Sequence, residues 1–358
     1  LKCEPVLKIL DLCGPGWICQ IKALMKSKTL FQIAKIVVVS ALCASVFVAN
    51  AAETNSPAPI TFKLDISRQK NYGDSPIIIV PTVFVKLPLS GKIFAVKQGS
   101  ALSTLGGGSA NTVRASAHYV VSGLDKKLAQ EIAGKVYDDF VAQLRAAGFT
   151  VKTYADIKDL DFVKAAGRES ADGDLGLPTE KDRSGNVVYA VAAPGDEQAF
   201  QSGLSSGVFN QFAHLGKSKF SEGTMIIPTY TIAAPQAWGE TGSGVGTISA
   251  SANVQPGMSL MSAGAPLLTA KGGWGGVQTK APVRISEKVG ELTKEDTTSH
   301  AGNAFSKSLS LLSGAGSITG SSANYQFTID PAAYETGVLT GAAAFNAEVA
   351  KIAGEAKK

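Results

Sequence analysis

Cysteine disappears early from this chain of 358 residues, because all four cysteines, Cys3, Cys13, Cys19 and Cys43, precede residue 52. The remainder therefore has no disulfide, no thiolate nucleophile and no cysteine metal site, and it must fold by packing alone. Histidine is equally scarce. His118, His214 and His300 are far apart, so none forms the i, i+4 pair of a helical metal motif. No Lys/Arg cluster is interleaved with aromatics, which removes the electrostatic reason to expect a nucleic acid partner. About 300 residues remain beyond the last cysteine, enough to bury a core without covalent staples.

What is present begins with an export signal. From Met25 the chain reads Met25-Lys26-Ser27-Lys28, then an apolar core from Ile36 to Val48, then Ala49-Asn50-Ala51. A basic start, an apolar middle and small residues at a cleavage point make a secretory leader over residues 25–51. Its apolar run falls short of the ~20 residues that span a bilayer, which argues against an anchor. Leu42 stands before Cys43 where lipoprotein processing wants a small residue. Residues 1–24 read as upstream sequence, with Met25 as the start. Removing six lysines and two acids with these segments leaves the mature chain close to neutral.

The clearest structural stretch runs from Arg114 to Tyr154. Leu128, Ile132, Val136, Phe140 and Leu144 recur at helical period, with Asp125 at the N-cap position and Gly148 at the stop. Alternating runs before and after it (Ala115 to Val121, Phe149 to Thr153) predict strands, hence a parallel or mixed sheet with the helix across one face. Other predicted strands are Ile60 to Ile66, Pro76 to Pro88, Lys92 to Lys97, Val187 to Ala192, Gly223 to Ile232 and Asn324 to Ile329. Further helices are predicted over Asp156 to Gly167, Gln198 to Leu215, Ser299 to Leu312 and from Pro331, the last capped by Asp330. Gly337 and Gly341 on that last helix allow a close backbone approach. Between Ala233 and Ile285 the composition turns to Gly, Ser, Ala and Pro, which predicts a meander of antiparallel hairpins.

The resulting fold class is α/β or α+β, a mixed sheet covered by helices at Lys126, Ser299 and Pro331 with a Gly/Ser-rich hairpin extension. Its expected parts are a core over 52–232, the extension over 233–285, and a helix-strand-helix over 286–358 that completes the core.

Chemistry-bearing motifs are sparse. Gly203-Leu204-Ser205-Ser206-Gly207 matches the Gly-x-Ser-x-Gly elbow, and Asp296 and His300 follow in the order of a hydrolase triad. Its context differs from an elbow, because the residues before Ser205 read as polar helix or loop rather than a strand. Asp172-Gly173-Asp174 begins like a calcium loop but lacks the glutamate and the correctly placed glycine. Gly106-Gly107-Gly108 has no Gly-Lys-Ser/Thr after it and makes no phosphate cradle. Neither a metal nor a cofactor is expected. Trp238 and Trp274 flank the hairpin region, where an exposed aromatic can bind glycan or lipid.

In element order the chain resembles the exported curli-secretion-channel (CsgG-like) and TolB amino-terminal α/β family. The likeness is carried by the helix Lys126 to Leu144, the strand Gly148-Phe149-Thr150-Val151, the strand Gly223 to Ile232, the hairpins of Thr247 to Ile285 and the helix from Pro331. It implies a periplasmic domain of an outer-membrane assembly, often a ring. The chain departs from that pattern in lacking an acylated cysteine and long alternating strands with aromatic girdles, so a pore is not expected. The functional expectation is a non-enzymatic, self-associating protein of the cell envelope, periplasmic, outer-membrane associated or extracellular. Its expected partner is a second copy of itself, with other envelope proteins as further candidates. The alternatives are a secreted serine hydrolase using Ser205, Asp296 and His300, or a glycan- or lipid-binding module. Amino-terminal sequencing of protein recovered from cells should begin at Ala52 or within two residues of it; an intact Met25 start on cytosolic material would refute the leader.

Overall fold

The computed structural model of the chain describes residues 60–98, 112–201, 223–244, 247–295 and 319–357. Strands β1 (Leu64–Ser67), β2 (Ile77–Val80), β3 (Phe84–Gln98) and β4 (Thr112–Ser122) lead into helix α1 (Lys126–Ala146) and β5 (Thr150–Thr153). Two single-turn helices follow, α2 (Tyr154–Ile157) and α3 (Asp161–Lys164), then β6 (Thr179–Lys181) and β7 (Val187–Ala192). Next come β8 (Thr224–Ile226), β9 (Thr229–Ala233), β10 (Gln236–Gly244), β11 (Thr247–Gln255) and β12 (Met258–Thr269). The chain closes with β13 (Trp274–Thr279), β14 (Val283–Ser286), β15 (Gly290–Glu295), β16 (Thr319–Ile329) and helix α4 (Pro331–Ala356).

Fourteen of these strands form one mixed sheet, whose main path is β15-β16-β4-β3-β9-β12-β8-β2-β5. β2 runs parallel to β5 and β8, β3 parallel to β9, and β4 parallel to β16; β3 pairs antiparallel with β4 and β7. The α/β or α+β class expected from the pattern is therefore the one observed. No helix among the described residues is long and apolar enough to cross a membrane.

The apolar run from Pro76 to Pro88 explains the layering. It breaks at Pro81, so Ile77–Val80 becomes β2 and the rest enters β3. Its residues alternate between two cores. Ile78, Val80, Val85 and Leu87 join the larger one with Ile132, Val136 and Phe140 of α1 and Val338, Phe345 and Val349 of α4. Ile79 and Phe84 join a second core with Ile157, Val163 and Phe200. A strand buried on both faces has no need of polar alternation, which is why this run reads as continuously apolar. Pro88 sits at a β-bulge in β3, where a missing N–H does least harm to the ladder.

Both long helices end where their caps dictate. The Leu128 N–H donates to Asp125 Oδ1 at 2.7 Å, and Gly148 takes φ +87° just past the last turn of α1. Asp330 Oδ1 accepts from the N–H groups of Ala332 and Ala333 at 3.0 and 3.1 Å, with Pro331 in the first turn of α4. On α4, a Cβ at Gly337 would stand 2.8 Å from Met258 Sδ, and one at Gly341 2.4 Å from Ile285 Cδ1. These two positions bring the helix backbone onto β12 and β14. Where α1 meets α4, Asn346 Nδ2 donates to Asp139 Oδ2 at 2.7 Å while the buried Tyr230 hydroxyl donates to Asn346 Oδ1.

Several expectations are corrected in detail. The first strand is Leu64–Ser67 rather than Ile60 to Ile66. The helix expected over Asp156 to Gly167 is two single turns, because Leu160 adopts an extended backbone and packs against the second core. Gly223 to Ile232 is two strands, split where Pro228 offers its carbonyl to the Phe84 N–H at 2.9 Å. β4 and β5, joined by α1, are not neighbours, since β4 pairs with β3 and β5 with β2. Of the segment 233–285, only β10 and β11 stand apart as a two-stranded sheet. β12 is instead an interior strand of the main sheet, flanked by β8 and β9 on one edge and by β13 and β14 on the other. The helix expected over Ser299 to Leu312 and most of the one over Gln198 to Leu215 lie outside the described residues.

One side chain fastens α1 to two strand ends. The Tyr137 hydroxyl donates to the Val80 carbonyl at 2.8 Å and accepts from the Tyr154 N–H at 2.9 Å. Burial pushes its pKa up to about 12, so it remains a neutral donor. Tyr137→Phe keeps the ring but leaves both backbone groups unpaired, and should lower the unfolding free energy by about 1–3 kcal/mol in urea titration.

Candidate functional site

β2 and β5 run parallel and end side by side at Val80 and Thr153. In open sheets with parallel strands, the crevice outside these carboxyl ends is where ligands collect. α2 begins immediately at Tyr154, and the chain returns past the same place at Asp196–Gln198, where Gln198 Nε2 donates to the Pro81 carbonyl at 3.1 Å. An open cleft of about 600 Å³ lies here, lined by Tyr154, Lys158, Asp159, Lys164, Ala166, Arg168, Asp196 and Glu197.

Its walls are stitched by charge. Arg168 is pinned along three directions: Nε donates to the Glu197 carbonyl at 2.6 Å, Nη1 donates to the Ala166 carbonyl, and the guanidinium lies 4.0 Å from the Phe200 ring centroid. Phe200 is itself fully buried in the second core, so the cation is fixed to the fold rather than free to sweep. The Tyr154 hydroxyl donates to Glu197 Oε2 at 3.2 Å, and partial burial raises its pKa. Asp196 accepts from Lys126 Nζ and Gln130 Nε2, each at 2.8 Å; the Lys126 ammonium holds its carboxyl below the ordinary value. Lys164 stands 3.8 Å from Asp159.

This arrangement is suited to binding more than to proton transfer. Tyr154 is moved away from neutrality upward and Asp196 downward, the opposite of what a general acid–base pair working near pH 7 needs. Three cations and three anions line the cleft, so a ligand of mixed charge meets partners of both signs.

Ser205, Asp296 and His300 lie outside the described residues, as do the whole Gly203–Gly207 motif, Gly106–Gly108 and His214. His118 is half-buried on β4, opposite Lys92 of β3. Asp172 and Asp174 belong to a turn in which the Gly173 N–H donates to the Leu177 carbonyl at 3.1 Å. Among the described residues no group of three or more His, Cys, Asp or Glu could hold a metal ion. Trp274 is partly exposed on β13, and Trp238 half-buried on β10. The cleft residues were not singled out from the sequence. Their signal is weak, because Tyr154, Arg168 and Glu197 are isolated residues with no spacing pattern.

A second surface is the hairpin of β10 and β11, which packs on β3 and β4 where Ala95, Ala115 and Ala117 are buried. A Cβ at Gly239 would stand 2.8 Å from the Phe94 carbonyl oxygen and 3.2 Å from Ala95 Cβ, so the small residues of both layers set the approach. β11 pairs with β10 along one edge, and no strand pairs with its other edge among the described residues. No family model, curated protein or solved structure was found to match the chain.

The cleft wall depends on the start of α2. The Thr153 N–H and hydroxyl both donate to Asp156 Oδ2, at 2.8 and 2.9 Å, and the backbone bond is the chief cause of a carboxyl pKa below the ordinary 3.8. Asp156→Ala should cost about 1 kcal/mol at neutral pH, as caps of this kind do. Because the folded value is depressed, the contribution is present above pH 3.8 and fades as pH falls through the folded value. Urea unfolding of variant and parent should therefore differ at pH 7 and converge in stronger acid.

Proposed function

We propose that the chain is an exported, non-enzymatic protein of the bacterial-type cell envelope that self-associates into a larger structural assembly. The observation that carries this reading is the edge of β11 that no strand pairs with among the described residues. From Thr247 to Gln255 the strand has no charged residue and no proline, the devices by which edge strands usually avoid a second chain. Nine residues of such an edge offer a ready template for continuing the ladder with another copy. The leader at residues 25–51 and the likeness in element order to the CsgG-like and TolB amino-terminal family support the envelope setting. The packing of the hairpin on β3 and β4 supports a preformed edge, since a two-stranded ribbon without a covering surface is marginal in water.

Because β12 is an interior strand, removing the whole region would unfold the protein, so the edge itself is the target. Light scattering on the chain beginning at Ala52 should give a mass of two copies or more at micromolar concentration. Ser251→Lys places a cation on the outer face of β11, and it should shift the mass toward one chain while the far-ultraviolet circular dichroism spectrum is unchanged. A parent protein that scatters as a single chain at these concentrations overturns the reading.

A further inference from the structure

The outer face of the hairpin presents a different chemistry from its edge. Side chains alternate along each strand, and Gly239 marks the side turned toward Ala95. Trp238 and Glu240 of β10 therefore point away from the sheet, as do Asn253 and Ser251 opposite them in register. The indole Nε1 donates to Glu240 Oε1 at 2.8 Å, which fixes the ring along the strand, and Asn253 Nδ2 donates to Ser251 Oγ at 3.4 Å. Neighbours two residues apart on one strand stand about 7 Å apart and cross-strand neighbours about 5 Å, so the four side chains cover an area the size of one sugar ring.

We infer that this face is a saccharide-binding platform, with Trp238 stacking against the C–H face of a neutral sugar and Glu240 and Asn253 bonding its hydroxyls. Three observations favour that ligand class. An aromatic ring held in place by its own N–H loses little freedom when a second flat surface covers it. Glu240 keeps a second carboxylate oxygen without a hydrogen bond among the described residues, and a planar acceptor beside a planar carboxamide suits vicinal hydroxyls. The neighbours Ser251, Asn253 and Glu240 are polar, unlike the apolar surround a lipid surface would need, and the only charge on β10 and β11 is negative, which disfavours acidic sugars and anionic headgroups.

The test uses protein expressed from Met25 and carrying Trp274→Phe, which leaves Trp238 as its sole tryptophan. Titration with cellohexaose, maltohexaose, mannohexaose and chitohexaose into the millimolar range should give a saturable change in Trp238 emission with at least one of them. In calorimetry on the otherwise unaltered chain, Trp238→Ala should weaken that binding about tenfold or more, and Glu240→Ala and Asn253→Ala severalfold. Circular dichroism confirms that each variant is folded, and Trp238→Phe, which keeps a stacking ring, should restore part of the affinity. Absence of binding to all four oligosaccharides, binding indifferent to Trp238→Ala, or an emission change with phosphatidylglycerol vesicles but none with sugars would each overturn the assignment.

Discussion

A single phenolic oxygen holds the working end of this fold together. Val80 and Tyr154 belong to different strand ends, and neither backbone group has a sheet partner where the parallel pair stops; Tyr137 satisfies both from the side of α1. A buried N–H or C=O left unpaired costs more than the mean hydrogen bond contributes, so one hydroxyl with both capacities is an economical solution. It also fixes three elements relative to one another. Once α1 is seated on β2 and β5, Lys126 and Gln130 on its first turns reach Asp196, and the cleft acquires its far wall.

The two cores divide the labour. The larger core, between the sheet and the two long helices, is filled mainly by apolar side chains, with the Tyr230, Asn346 and Asp139 chain of hydrogen bonds inserted among them. Such a network is tolerable only when every member is satisfied, and here it fixes the register of α4 against α1. The smaller core lies on the other side of β2 and supports the two single-turn helices α2 and α3 and the loop that carries Phe200. Arg168 marks the border: its guanidinium lies over the ring of Phe200, which belongs to the core, while the residue also lines the cleft.

How much of this was legible follows from what each element needs. α1 and α4 announce themselves because a helix half buried must repeat at its own period, and both carry caps whose side chains are seen bonding the first turn. β12 stayed hidden for a definite reason. Met258 and Leu260 are buried, but a β-bulge between Leu260 and Ser262 shifts the phase, so that Ala263, Ala265 and Leu267 take over the buried positions. The alternation breaks in the middle and the residues are small, so an interior strand reads as part of a loose meander. The cleft was hidden for another reason: Tyr154, Arg168 and Glu197 meet only because α2, α3 and a returning loop converge, which no local spacing records. The hairpin alternation of Thr247 to Val254, by contrast, follows from sequence alone, since one face of it must lie on alanines.

The parallel pairing of β4 with β16 joins Val113 to Thr319, and β1 pairs with β13 from Leu64 to Thr279. Ladders this distant in sequence cannot form until nearly the whole chain is available, and the loop-closure entropy must be spent before any of their hydrogen bonds is gained. The first half of the chain, made without its partners, would expose β2, β3 and β4 with open edges and two apolar faces. Assembly of the sheet is thus a late and collective event that waits on the carboxyl-terminal strand. A nascent chain passes before that event through an incomplete sheet, a state any holding chaperone can recognise.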